Sequence, residues 1–118
     1  MRPGSSLPQR KEFDAQFSEV CESTMRETLG ESGTKSVVWW LHQSGVSMKD
    51  SSLRPQDFDD ALVDLFHPMG ALVIETRILA RFYRGQGAKY SRGGSLSFGD
   101  EVAKARRLFG GPRESGRP

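Results

Sequence analysis

The chain has 118 residues, of which 36% are hydrophobic, and it carries 17 Lys and Arg against 15 Asp and Glu. This length supports one domain with its own apolar core and excludes a two-domain arrangement. Its longest apolar stretch is far shorter than the roughly 18 residues that a membrane span needs. A single cysteine, together with an N-terminal segment that lacks the apolar part of a secretory signal, predicts a reducing, cytoplasmic setting.

Both ends of the chain are polar and rich in proline and glycine. Residues 1–12 and 110–118 contain too few apolar side chains to order themselves, so we predict a flexible, disordered tail at each end. The helical domain is then expected over residues 13–109.

Apolar residues in the first part of this domain recur at helical spacing. From Phe13 to Thr28 they fall at steps of three and four, which predicts a helix that stops at Gly30. The run of five consecutive apolar residues that follows is compatible with a buried strand, but no second run of similar strength exists to pair with it. We therefore predict a second helix over 34–43 and a loop over 44–53.

Prolines delimit the next two helices. Pro55 favours a first helical turn and Pro68 cannot continue a helix, so the third helix is expected over 55–66. A fourth helix over 69–84 is apolar on more than one face and is predicted to be the most buried. Its apolar residues are Leu72, Val73, Ile74, Ile78, Leu79, Phe82 and Tyr83.

A capping pattern marks the start of the last helix. Ser97 stands three residues before Asp100, the spacing at which each side chain bonds the other residue's backbone N–H. The sequence thus predicts an all-α fold, a single compact bundle of about five helices. Residues expected to face inward from the last helix are Phe98, Val102, Ala105, Leu108 and Phe109.

Charged residues are segregated along the chain. Residues 55–75 contain five acidic and no basic residues, whereas residues 76–94 contain five basic and no acidic ones. Helical spacing places several charges of each block on one face of its helix. We call these sets the Asp stripe, Asp57, Asp60 and Asp64, and the Arg stripe, Arg77, Arg81 and Arg84.

Two interpretations of the stripes are open. Consecutive antiparallel helices would let the two stripes pair, which stabilises a protein by roughly 0–1 kcal/mol per exposed pair. Alternatively, the Arg stripe, extended by Lys89 and Arg92, is a cationic face for an anionic partner. That partner is an acidic protein surface or, less in keeping with the balanced total charge, a nucleic acid.

No motif in the sequence indicates catalysis or the binding of a metal or cofactor. Cys21, His42 and His67 do not form a ligand cluster or a nucleophile–base pair. Cys21 lies on the apolar side of the first helix, so it is interpreted as a core residue, with a reactive thiol as the alternative. We predict no catalytic, cofactor-binding or metal-binding residue, and no cofactor.

Two adjacent tryptophans are the remaining unusual feature. Neighbouring residues on a helix point about 100° apart, so both indoles pack inside only if their helix is deeply buried. Otherwise Trp39 reaches the surface, and exposed tryptophans often anchor protein interfaces. The candidate partner-binding residues are Trp39, His42, Arg77, Arg81, Arg84, Lys89 and Arg92.

Several motifs together resemble a known family. They are Leu29-Gly30, VVWWLH (37–42), RPQDFDDALVDLF (54–66), GALVIETRILARFY (70–83) and SFGDEV (97–102). In this order they resemble the archaeal small all-helical family known as the Nitrososphaera output domain (type five). The resemblance implies a compact all-α domain with a role in signalling output and without an established catalytic residue.

Taken together, these observations predict a non-enzymatic helical protein-interaction module. The resemblance adds a stand-alone signalling output domain as its setting. A protein partner or self-association is expected, and no membrane partner. The alternative is a nucleic-acid-binding or transcription-associated domain that uses the Arg stripe.

Overall fold

The computed structural model describes residues 9–91 and 96–110, and within these ranges it contains helices and no strand. This confirms the predicted all-α fold, but with four helices where five were expected. Across the described residues, no helix combines the length and the apolarity that a membrane crossing requires. The helices are α1 (Gln9–Gln43), α2 (Asp50–Leu53), α3 (Pro55–Gly85) and α4 (Phe98–Phe109).

Helix α1 unites the first two predicted helices and breaks at Gly30. This residue has φ 81° and ψ 174°, a conformation that glycine adopts without a Cβ penalty. The hydroxyl of Thr34 donates to the Gly30 carbonyl at 2.7 Å and thereby supports the turn after the break. The apolar run at 37–41 is helical, as predicted, and α1 already begins at Gln9, before the predicted domain boundary.

Helix α3 likewise joins two predicted helices and breaks at His67. Pro68 has no N–H to donate, and its ring disfavours helical angles at the preceding residue. His67 accordingly has φ 65° and ψ 165°, and it is the one non-glycine residue with positive φ in the described chain. The sequence located both breaks correctly, but it did not show that helical hydrogen bonding resumes without a loop.

The segment predicted as a loop before Pro55 contains the short helix α2. The backbone N–H of Ser47 donates to Asp50 Oδ2 at 2.9 Å and so links the preceding segment to the first residue of this turn. Ser51 and Ser52 are buried against the rest of the protein. The loop prediction for 44–53 is therefore wrong in its second half, because a single turn has too few residues to show a periodic pattern.

The start of α4 follows the predicted capping pattern. The hydroxyl of Ser97 accepts from the Asp100 N–H at 3.1 Å, and the Asp100 carboxylate accepts from the Ser97 N–H at 3.4 Å. Both contacts satisfy N–H groups that have no partner inside the helix.

Aromatic rings connect the helices in the core. The ring of Phe82 on α3 lies 5.2 Å from that of Phe13 and 5.1 Å from that of Phe17, both on α1. Phe98 of α4 stacks on Phe58 of α3 at 5.9 Å. The buried core includes Phe13, Phe17, Cys21, Met25, Val37, Leu41, Phe58, Leu62, Ile78, Leu79, Phe82 and Val102.

A polar network ties α4 and α2 to the start of α1. Arg106 Nη2 donates to Asp14 Oδ1 at 2.7 Å and to the Ser52 carbonyl at 3.1 Å. The Ser52 hydroxyl donates to the same carboxylate at 2.7 Å, and the guanidinium lies 4.7 Å from the centre of the Phe13 ring. Because these residues are far apart in sequence, no local pattern indicated their association.

Some apolar side chains that were expected inside lie at the surface. Val73 is 51% exposed, Leu72 is 36% exposed and Leu108 is 57% exposed. Leu72 and Val73 are exceptions in the second half of α3, which contains most of the buried residues of that helix. These are Ala71, Ile74, Glu75, Ile78, Leu79, Phe82 and Tyr83.

Candidate functional site

The two tryptophans have different environments. Trp40 is half-buried, and its Nε1 donates to the Ala61 carbonyl of α3 at 3.2 Å. Trp39 is 61% exposed. Val37 and Leu41 occupy the core side of this part of α1, and the helical turn of about 100° per residue directs position 39 outward. The structure thus exposes most of the Trp39 side chain and leaves that of Trp40 half-buried.

A groove of about 540 Å³ lies beside the exposed indole. The two indoles and Leu65 give it apolar walls, and a lysine and two serines add polar groups. Lys35 can turn its ammonium group toward an acidic group of a partner while its methylene groups cover apolar surface. The groove can therefore accept an apolar side chain next to an acidic one. Its lining residues are Ser32, Lys35, Ser36, Trp39, Trp40 and Leu65.

Two further exposed residues lie on the same part of α1. Val38 is 44% exposed and is the immediate neighbour of Trp39. His42, a predicted partner-binding residue, is exposed in the last turn of the helix. They extend the surface around Trp39 without lining the groove itself.

The Arg stripe contacts the first half of α1. Arg81 forms an ion pair with Glu27, and its Nη2 donates to the Ser23 hydroxyl at 3.1 Å. Arg77 Nη1 donates to the Thr28 hydroxyl at 3.5 Å. In the part of the chain that the structure describes, no ion pair joins the Arg stripe to the Asp stripe. The pairing interpretation is therefore wrong, because Arg81 pairs with Glu27 of α1 and Asp57 pairs with Arg54.

The remaining candidate cations are at the end of α3 and beyond it. Arg84 is exposed in the last turn, and Lys89 is exposed in the following segment. Arg92 lies outside the described residues. Trp39 is on the half of α1 that contacts Ala61, whereas Arg77 and Arg81 contact the other half. The described candidates therefore do not form one site.

Sequence reasoning missed the polar part of the groove. Lys35 precedes Trp39 by four residues, and Ser36 precedes Trp40 by four. Residues at this spacing are neighbours on a helix, so this signal was available. Leu65 belongs to α3, and only the packing of α3 against α1 brings it to the same groove.

Burial raises the pKa of a thiol and of a phenol in the interior. Cys21 is fully buried, as predicted, and burial raises the pKa of its thiol to about 12. Very little of the nucleophilic thiolate form is then present at neutral pH. Burial also raises the pKa of Tyr83, and the nearby Glu101 adds to the increase. Among the described residues, no group of three or more His, Cys, Asp or Glu could hold a metal ion.

Comparisons of the chain with protein-family models, curated proteins and solved structures found no match. The surfaces described above are therefore the basis for any functional interpretation, and the resemblance to archaeal output domains stays a hypothesis.

Proposed function

We propose that this protein is a non-enzymatic helical module that binds another protein through the groove beside Trp39. The observation that carries this proposal is an indole 61% exposed at the edge of an open groove with apolar walls. Tryptophan is enriched among the few residues that dominate the free energy of protein association. A partner that covers this indole removes apolar surface from water, and the indole N–H can still donate a hydrogen bond at the edge of the interface.

An amphipathic helix is the segment of a partner that fits this groove. The groove follows the edge between two helices, α1 and α3, and a third helix can insert an apolar side chain there. Lys35 lies one helical turn before Trp39 and is exposed, so an acidic residue beside the anchor would meet an opposite charge. The proposed partner helix therefore carries an apolar anchor with Asp or Glu about one turn away.

The nucleic-acid alternative has less support. Glu27 pairs with Arg81 and reduces the positive potential of the Arg stripe, on which phosphate binding depends. A role in signalling output, which the family resemblance implies, would make the helix-binding groove the contact to the downstream protein.

A display selection tests the groove. The probe is a phage-displayed library of amphipathic helical peptides, selected on the full chain. We expect enriched peptides to combine an apolar anchor with an acidic residue, and Trp39→Ala to raise their dissociation constants at least about tenfold. Leu53→Ala is the matched control, because Leu53 is 55% exposed on α2 and does not line the groove.

Charge exchange at Lys35 tests the chemistry of the partner. Lys35→Glu is expected to weaken the selected peptides and to favour peptides whose acidic residue is replaced by Lys. If no peptide is enriched, or if the enriched peptides bind Trp39→Ala as tightly as the wild type, the proposed function is wrong. Salt-sensitive binding of DNA or RNA by the same variants would instead favour the nucleic-acid alternative.

A further inference from the structure

The inward side of α4 includes a carboxylate. Four residues of this helix are buried, and their spacing of one, three and four places them on one side: Phe98, Glu101, Val102 and Ala105. Glu101 is 1% exposed. Among the described residues, no donor forms a hydrogen bond with its Oε1. Helix α4 thus packs against the rest of the protein with an acidic residue in the middle of its apolar side.

The carboxylate lies beside a buried phenol of α3. Tyr83 is 5% exposed, and its hydroxyl also makes no hydrogen bond within the described part of the chain. Burial and, to a smaller extent, the neighbouring Glu101 raise the pKa of Tyr83, so the two side chains are close to each other. Glu101 loses water when α4 packs on α3, and its Oε1 gains no hydrogen bond in exchange. This desolvation weakens the packing of α4, because a carboxylate is better solvated by water.

Phenylalanine rings attach α4 to both halves of α3. Phe98 stacks on Phe58 of the first half at 5.9 Å, and Phe109 lies 6.0 Å from Phe82 of the second half. Helices α1 and α3 also contact each other directly, through the rings of Phe17 and Phe82 at 5.1 Å. The packing of α1 on α3 therefore does not depend on α4.

We propose that α4 detaches from the protein as a unit while α1 and α3 stay folded, and that Glu101 determines how often it does so. Local opening occurs in the elements whose packing is least favourable. Detachment returns the carboxylate to water and uncovers Phe58 and Phe82, which are 0% and 1% exposed when α4 is in place. The uncovered surface between α1 and α3 is of the kind that accepts the apolar face of a helix. Helix α4 is thus the internal occupant of a second helix-binding surface, separate from the groove beside Trp39.

Hydrogen exchange on the full chain, followed residue by residue with NMR, tests the detachment. An isolated helix of 12 residues is marginal in water, so the amides of α4 exchange when it detaches. Ala105 and Cys21 are both 0% exposed. After correction for intrinsic rates, we expect the amide of Ala105 to exchange at least about tenfold faster than that of Cys21. The exchange of Ala105 should depend only weakly on urea, because detachment exposes less surface than complete unfolding.

Replacement of the carboxylate tests the role of Glu101. Glu101→Met introduces an unbranched apolar side chain and should slow the exchange of Ala105 at least about tenfold. Glu101→Gln removes the charge with the smallest change in shape and should act in the same direction. Glu19→Met, the same substitution at an exposed site of α1, should leave the exchange unchanged.

Circular dichroism on heating verifies that each variant remains folded, and Glu101→Gln decides the test if Glu101→Met does not fold. Equal exchange of Ala105 and Cys21 in the wild type would show that the protein opens only as a whole and would overturn the proposal. Exchange of Ala105 that is as fast in the folded Glu101 variants as in the wild type would overturn it as well.

Discussion

Replacing His67 by glycine is expected to stabilise the protein, because His67 has a backbone conformation that suits only glycine. At φ 65° and ψ 165° the Cβ of an ordinary residue is crowded, which costs on the order of 1–3 kcal/mol. Glycine removes the Cβ but loses about 0.5–1 kcal/mol through its greater freedom in the unfolded chain. The free energy of unfolding should therefore rise by about 1 kcal/mol, which corresponds to roughly 4 °C in Tm at this chain length.

Urea unfolding of His67→Gly and His67→Ala measures this difference. The His67 side chain is exposed, so its loss alone should have little effect on stability. Alanine retains the Cβ and therefore the strain, and His67→Ala should match the wild type within about 0.5 kcal/mol. A His67→Gly protein that is no more stable than His67→Ala would contradict the reasoning, since only the Cβ and its backbone preference distinguish the two.

Three further predictions concern the other break, the polar network and the buried thiol. Gly30→Ala should lower the free energy of unfolding by about 1–2 kcal/mol, because a residue with a Cβ is strained at φ 81°. No atom lies within 4 Å of the added Cβ, so no clash adds to this loss. A much larger loss in urea unfolding would contradict the reasoning. A double-mutant cycle of Asp14→Ala and Arg106→Ala should give a coupling energy of about 1–3 kcal/mol, because both side chains are less than a third exposed. A coupling energy near zero would show that the network does not stabilise the fold. The pKa of the Cys21 thiol is higher in the folded protein, about 12, than the ordinary value of 9.0, so its contribution to stability is complete below pH 9 and declines as the pH rises toward 12. Urea unfolding between pH 8 and 11 should therefore show a steeper loss of stability for the wild type than for Cys21→Ala, and equal slopes would contradict the raised pKa.

Local signals located the helix boundaries because the relevant interactions span few residues. The capping contacts between Ser97 and Asp100 lie within one turn, and the sequence predicted them. The breaks at Gly30 and His67 also follow from a glycine and from the proline after His67. By contrast, the network of Arg106 with Asp14 depends on packing between the two ends of the chain, which leaves no local pattern.

The candidate groove was only partly visible in the sequence. Trp39 was a candidate because two adjacent indoles do not readily share one core, and Lys35 lies at a spacing that a helix brings to the same side. Leu65 packs against the core and also lines the groove from the neighbouring helix, which only the packing of α3 against α1 brings about. The partner of Arg81 was also unexpected, since Glu27 belongs to neither charged block.

The sequence by itself determined the all-α class, the two helix breaks, the start of α4, and the burial of residues such as Cys21 and Val102. These properties follow from backbone geometry and from a regular apolar spacing. Only the tertiary structure decided that Trp39 and Val73 lie outside while Trp40 contacts α3. Each of these helices has more apolar residues than one face can hold, and the packing of its neighbours determines which of them are covered.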